Sequence, residues 1–585
     1  MSNDQRLNSL LETGEHITLE CKKSGNEVPK DVWETYSAFA NTYGGCILLG
    51  IQEHPKETDI KRRFEITGVR NPAQRKKEFW DTINSDKVSA NILMEKDVEE
   101  VNTDDGKKVI VITVPEASYR QKPVYINGNP FKGTFRRNHE SDYHCTEEEV
   151  RAMLRDSADT GSDGILLSGY SMDDIDSATL QSYRNEFDSR NPDHHWSRLD
   201  NKEFLRNLGG LTKDRRTGEE WLTMAGLLMF GKGLSIRERF GNLSFDYLNL
   251  SGLLPGQRWS DRISVDGTWE NNLYSFARTV LPRLTRNLEK PFKMDGITRI
   301  DDTPVHQSVR EALINMIIHA DYQQIGSLKV IQYDDGFQFS NPGNLKLPVS
   351  LIFEGGHTAA RNPRIQIMFR MIGLCENIGS GFSLILNTWR EQNWRDPDLY
   401  NDLELHKVDL RLWKTEAIPA SCSAQLSSCF GKAFSELPEK EKLVLSIALQ
   451  EGKITTLKLQ SVLKADPEET KALIIELMRK NMLIPNYRNP QYEYYINLDF
   501  SPVEPEPAVA AINIPSSLSE TDRKLLDLLQ KGPVSHRDII SQIPTITTGP
   551  GASKAMKRLI DKNLAIKFKK KGERSTFYRL ADVFK

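Results

Sequence analysis

Glu311 and Asn315 stand four residues apart in VREALINMIIHADY. That spacing predicts a helix with both on one face and Leu313, Ile314, Ile317 and Ile318 on an apolar one. A carboxylate and a carboxamide stacked one turn apart can hold a water and a Mg2+ ion against a triphosphate. A second set of acids lies near the start of the chain, where Glu15 and Glu20 fall five apart on either side of HITL. In an unbroken strand they point to opposite faces, so they converge only if Glu15 sits on the preceding turn. Lys22 shares the strand face of Glu20, as its ion-pair partner or as a phosphate contact.

Two basic stretches suit nucleic acid. Arg120, Lys122, Lys132, Arg136 and Arg137 occur within eighteen residues that contain no acid, interleaved with Tyr119, Tyr125, Phe131 and Phe135. Phosphates need such a cationic strip, and aromatics among the charges can stack on unpaired bases. The alternation in FKGTFRRN turns its aromatics inward and leaves its charges outside. The other stretch is 551–585, with eleven Lys or Arg against three Asp or Glu, about +8 in a chain whose net charge is −3. Its helix SKAMKRLIDKNL faces Met556, Leu559 and Ile560 inward and Lys554, Lys557 and Arg558 outward. Lys569, Lys570, Lys571 and Arg574 follow in a hairpin that would lie along phosphates; a solvated hairpin or a protein-docking module is the alternative. By contrast, GLLMFGKG at 226–233 is no P-loop, because Gly233 stands where Ser or Thr must reach Mg2+ and the intervening side chains belong in a core.

These residues need several domains to carry them. The 585 residues predict about four domains at roughly 100–200 residues each, and 38% hydrophobic content supplies their cores. With 78 basic and 81 acidic residues there is no global excess, so any nucleic-acid surface is a local patch. Apolar runs such as CILLGI fall far short of the ~18 residues of a membrane span. MSNDQRLNSL reads as neither secretory signal nor anchor, and the six cysteines form no CxxC pair, so a soluble cytoplasmic protein with reduced thiols and no membrane partner is expected. Linker-like SADTGSDG and SPVEPEPAVAAINIPSS suggest an α+β domain at 1–156, a mostly helical connection at 165–235, a mixed module at 236–416, and two tail blocks at 433–500 and 519–585. Each tail block reads helix, turn, helix and short hairpin, the winged-helix pattern.

Two resemblances follow from these motifs. The succession ExxxxExK, AFANTxGG and LLGIxE, with GTFRRNHESDYHCTEEEV, resembles the Schlafen-type AlbA-like domain, a nucleic-acid-binding module of bacterial regulators and of Schlafen nucleases. In the nucleases three carboxylates bind a divalent metal, Mn2+ or Mg2+, that activates water for RNA cleavage. Carried over, they fall on Glu15, Glu20 and Glu53, the last in GIQEH where the family usually places Asp. The pattern REALxNxxxHxDY, NPGxL, RNP and GSGF resembles the GHKL superfamily of DNA gyrase, histidine kinases and heat-shock chaperones, in the divergent RecG-related version found beside AlbA-like domains in transcriptional-regulator-like proteins. The resemblance implies Asn315 as the Mg2+ ligand, Glu311 as the residue orienting the hydrolytic water, Asn341 and Gly343 in the adenine box, and Gly379 and Gly381 in a glycine-rich lid. Active members open the adenine box with Asp; an Asn carbonyl can accept from the adenine amino group as well, less strongly.

The expected architecture is therefore a multidomain α+β protein: AlbA-like head, GHKL-like α/β sandwich and two winged-helix domains. The expected function is an ATP- and Mg2+-binding bacterial regulator, homo-oligomeric, in which the GHKL-like module controls nucleic-acid binding, with DNA favoured over RNA. The rival is a Schlafen-like metal-dependent ribonuclease, with phage defence as one role, and a third reading makes the central module a scaffold. Enzymatic activity, as a weak ATPase or as a nuclease, is left open.

Overall fold

The computed structural model describes residues 7, 11, 18–54, 57, 63–138, 141–158, 161–288, 294–295, 298–299, 302–375, 381–463, 467–486, 493–498, 519–530, 534–543, 545–546, 548–562, 564–569 and 576–580. Residues 1–501 form one compact unit and 502–585 a second. The protein is a mixed α+β chain, and among the described residues no helix is long and apolar enough to cross a membrane.

The head is built on a four-stranded sheet in the order β1-β2-β4-β3, with β1 (Leu19–Lys22), β2 (Gly45–Leu49), β3 (Val98–Asn102) and β4 (Lys108–Val114). The apolar run of β2 is buried along its whole length because clusters pack on both faces of the sheet. β1 and β2 are parallel, so the chain between them must cross over, and helix α1 (Val32–Asn41) makes that crossing. Gly44 ends the crossing at φ +73°, where a Cβ would stand 2.7 Å from the Val114 carbonyl, so a tight turn here needs glycine.

Asn41, in the AFANT motif, fixes the rest of the head around α1. Its Nδ2 donates to the carbonyls of Val124 (2.7 Å) and Phe135 (3.0 Å), and its Oδ1 accepts from the Val124 amide at 2.9 Å. A short hairpin, β5 (Phe135–Asn138) with β6 (Ser141–His144), is thereby held against the helix. Helix α2 (Glu147–Ser157) closes the head through a reciprocal cap. The Thr146 hydroxyl accepts from the Glu149 amide at 3.2 Å, and the Glu149 carboxylate accepts from the Thr146 amide at 2.6 Å.

Beyond the head, one hydrophobic core takes in side chains from Leu167 to Leu412. It includes the helix Met224–Phe230, buried at every residue, where the rejected P-loop lookalike lies. The core packs on a six-stranded sheet in the order β8-β7-β9-β10-β12-β11: β7 (Leu243–Asn249), β8 (Asp261–Ile263), β9 (Gly326–Tyr333), β10 (Gly336–Pro342), β11 (Asp398–Asp402) and β12 (Lys407–Trp413). Strict alternation of buried and half-buried residues along β12 shows one face on the core and one partly open. Among its helices are α3 (Leu273–Thr285), α4 (Pro304–His319), α5 (Pro363–Met371) and α6 (Gly381–Glu391).

Helix α5 starts without help from its own N-cap. The Asn362 carboxamide donates instead to the carbonyls of Ile318 (3.1 Å) and Ala320 (2.7 Å), tying α5 to the end of α4. Asp163, on the segment leaving the head, takes over by accepting from the Ile365 amide at 2.9 Å, and burial pushes its carboxyl up to about 6.

Residues 420–496 add helices and a small three-stranded sheet around a core of their own. A charge cluster joins them to the six-stranded sheet: buried Arg395 reaches Asp398 at 2.9 Å and Glu451 at 2.8 Å. The second unit has helices Glu520–Gln530, His536–Gln542 and Gly549–Asp561, and a sheet in which Val534–Ser535 and Ala565–Lys569 flank Thr576–Leu580.

Asn41→Ala should lower stability by about 2–3 kcal/mol, because it strands the Val124 and Phe135 backbone groups in the head core. Denaturant midpoints at constant m-value check this, and a change below about 0.5 kcal/mol would remove the clamp from the account.

Candidate functional site

Helix α4 brings Glu311 and Asn315 to the wall of one cavity, as their spacing requires. Asn341, at the end of β10, reaches the same cavity, and Gly381 opens α6 on its edge. The sheet supplies an apolar floor of Phe339, Leu399, Val408 and Leu410. Glu311 is buried, and a Cβ on Gly381 would collide with its carboxylate, so glycine here is what allows α6 to approach α4 so closely. Asn341 is buried and donates through Nδ2 to the Pro342 carbonyl at 3.1 Å, which leaves its side-chain oxygen as an acceptor. An apolar floor under a few convergent polar groups is the form of a small-molecule site. Glu311 and Asn315 offer hard oxygen ligands of the kind that Mg2+ takes.

Gly343 does not line this cavity. It stands behind the wall at φ +98°, with Arg361 Nη1 and the Asp321 Cβ each 2.8 Å from where its own Cβ would be. Gly379 lies outside the described residues. Arg361, which the sequence offers only as part of RNP, is the residue that organises this wall. Its guanidinium is 3% exposed and donates to the carbonyls of His319 (2.5 Å) and Asn344 (2.7 Å), and in two parallel bonds to Asp156 of the head at 2.9 and 2.8 Å. Beside it Arg155 pairs with Asp321 at 3.2 Å. His319 lines the cavity, and desolvation, with the Arg361 and Lys346 charges adding to it, pushes its pKa down to about 4, so it is neutral near pH 7.

The acids of the head are engaged with cations. Glu20 holds Arg137 at 2.6 Å through one oxygen and Lys22 at 2.7 Å through the other. Lys22 also reaches Asp31 at 2.6 Å, and Glu53 holds Arg63 at 2.6 Å. Glu15 lies outside the described residues. Among the described residues, no three His, Cys, Asp or Glu side chains gather as a metal site would require.

The basic strip divides in two. Arg137 is turned into the head, its guanidinium over the Phe39 ring and paired with Glu20 and with Asp142 at 2.9 Å. Period-two alternation puts it on the same face as buried Phe135. Lys122 pairs with Glu116 at 2.8 Å, and Arg136 lies 3.4 Å from Glu149. Arg120 and Lys132 are exposed. Lys122 and Arg136 line a second cavity with Tyr43, Tyr119, Tyr400 and His406, between the head and the six-stranded sheet. In the second unit Lys554 and Lys557 project from helix Gly549–Asp561, while Arg558 on the same helix pairs with Asp522 at 2.9 Å. Lys569 ends a described strand, and Lys570, Lys571 and Arg574 lie outside the described residues.

Three stretches of the chain match known families. Residues 15–146 match the family described as "Schlafen, AlbA_2", and residues 326–410 match "Putative ATP-dependent DNA helicase recG C-terminal". The chain thus carries a Schlafen AlbA_2 domain and a RecG-C-terminal-like, ATPase-related domain. Residues 151–246, which join them, match a domain of unknown function, DUF8451. Glu311 and Asn315 precede the second of these matched stretches, although their helix packs on its sheet. No curated protein matches the sequence. Over 99% of both chains, it is similar to the DIP2311 protein of Corynebacterium diphtheriae, known from a crystal structure, at 17% identity and a TM-score of 0.33.

Because His319 has a pKa of about 4 in the fold against an ordinary 6.5, the unfolded chain takes up a proton in that window that the folded chain refuses. Its contribution to stability is therefore lost as pH falls from 6.5 towards 4. Asp163, pushed up to about 6, acts with the opposite sign, so the measurement is the difference between wild type and His319→Gln. Wild type should lose stability more steeply than the variant across this window; parallel curves would show that His319 titrates normally.

Proposed function

We propose that this protein is an ATP-binding, nucleic-acid-associated regulator, in which a GHKL-like module controls nucleic acid held by the AlbA-like head and DNA held by the tail. The observation that carries the proposal is the convergence of Glu311, Asn315 and Asn341 over the apolar floor of one cavity. The floor suits a purine ring, and Asn341 can accept from its exocyclic amino group. Asn315 would hold Mg2+ against the phosphates, with Glu311 beside it placed to orient a water. The matched ATPase-related and Schlafen AlbA_2 families support nucleotide and nucleic acid as the two ligands.

For the head, exposed Arg120 and Lys132, with Lys122 and Arg136 at the tyrosine-lined cavity, offer charge and stacking surfaces. Arg137 is omitted from this surface because its guanidinium is enclosed. For the tail, the succession of helix, short strand, two helices and hairpin in both 439–496 and 520–580 supports the winged-helix reading, with Lys554 and Lys557 on the helix that would meet DNA. In this reading the protein acts in the cytoplasm as a homo-oligomer. The ribonuclease rival is weaker on charge grounds: a divalent ion at Glu20 would have to displace both Arg137 and Lys22.

Asn315→Ala should abolish Mg2+-dependent ATP binding while the circular dichroism spectrum is retained. Equal affinity of wild type and variant by calorimetry would sink the nucleotide site. For the tail, Lys554→Ala with Lys557→Ala should reduce the slope of log affinity against log salt for duplex DNA by roughly 2, since each phosphate contact contributes about 0.9. An unchanged slope would assign the tail to a protein partner.

A further inference from the structure

The strap Asn344–Leu347 separates the Glu311/Asn315 cavity from the tyrosine-lined one, and Leu345 and Lys346 border both. The strap is anchored where it leaves β10. The Asn344 carbonyl accepts from Arg361, its carboxamide lies 3.2 Å from His406 Nδ1, and the Leu345 amide donates to Asn401 Oδ1 at 3.1 Å. On this fixed backbone the Lys346 side chain is long enough to serve either cavity. In the structure its ammonium lies 4.4 Å from the ring centroid of Tyr119, a residue of the head. Among the described residues lining the Glu311/Asn315 cavity, Lys346 is the one lysine or arginine. His319 cannot replace it, being neutral, and a triphosphate brings several negative charges.

We infer that Lys346 is the phosphate ligand of the nucleotide cavity and that the Tyr119 ring is one of the groups holding it when no nucleotide is bound, so that head and nucleotide compete for one ammonium. The inference rests on the nucleotide reading of the cavity and adds the residue through which the head senses occupancy. A cation over an aromatic face is held by the ring quadrupole, weakly enough for a phosphate to take it away. A charge-assisted bond to phosphate is stronger than that contact, so ATP wins the competition and the Tyr119 ring keeps only the more distant Arg120 guanidinium, 5.6 Å from its centroid. By reciprocity, any ligand that covers Tyr119 and frees Lys346 favours ATP.

The test is a double-mutant cycle on the full chain, read by calorimetry with Mg-ATP and with adenosine. Lys346→Ala should weaken Mg-ATP binding roughly tenfold to a hundredfold and leave adenosine binding unchanged, a split that a merely structural role would not produce. Tyr119→Leu should tighten Mg-ATP binding, about twofold to fivefold, because the competing contact is gone. In the double variant the Tyr119 substitution should have no further effect. Wild-type binding of Mg-ATP with no loss in Lys346→Ala overturns the inference and leaves the nucleotide site standing. So does a Tyr119→Leu effect that persists without Lys346. Failure of the wild type to bind Mg-ATP at all overturns the nucleotide reading itself, and the inference with it.

Discussion

The guanidinium of Arg361 is the point on which the head and the RecG-C-terminal-like module depend together. It ties the end of α4, the strap after β10 and the last turn of the head's α2 through four hydrogen bonds from one planar group. A lysine could not reproduce this, because a point charge cannot satisfy a carboxylate in two parallel bonds and two carbonyls in different directions. Burial raises the stakes: with Asp156 removed, the enclosed charge would keep two carbonyl dipoles and the nearby Asp321 carboxylate, which Arg155 already pairs.

The same wall explains why the cavity has the form it has. Gly343 is small because Arg361 passes beside it, Asn362 turns away from its own helix to hold the carbonyls that end α4, and Asp163 reaches across from the head's exit segment to cap α5. Three substitutions of role, each forced by its neighbour, leave Glu311 and Asn315 facing an apolar floor while the backbone around them is satisfied.

Local rules made part of this legible. Four-residue spacing put Glu311 and Asn315 on one face, and the apolar side chains within GLLMFGKG marked a core element rather than a phosphate loop. What the sequence could not show is which charges meet. Glu20 and Arg137 are 117 residues apart and read as a metal ligand and a phosphate contact, yet they neutralise each other. Arg361 and Asp156 are 205 apart, and nothing local marks either as a partner. Asn41 likewise stood inside a motif with no visible task until the segments at Val124 and Phe135 came back to it. Pairing across long loops is decided by topology, and composition or periodicity carries no record of it.

The shared core has a consequence for how such a chain can be inherited. A genetic exchange anywhere between Leu167 and Leu412 would divide one interior between two parents whose side chains never adjusted to each other. The permissive joints lie outside it, and the one just after the head separates Asp156 from Arg361. A head acquired by recombination would therefore keep its grip on the module beyond it only if it arrived with an acid at that position, so lineages that swap heads should carry the acid and the arginine as a matched pair.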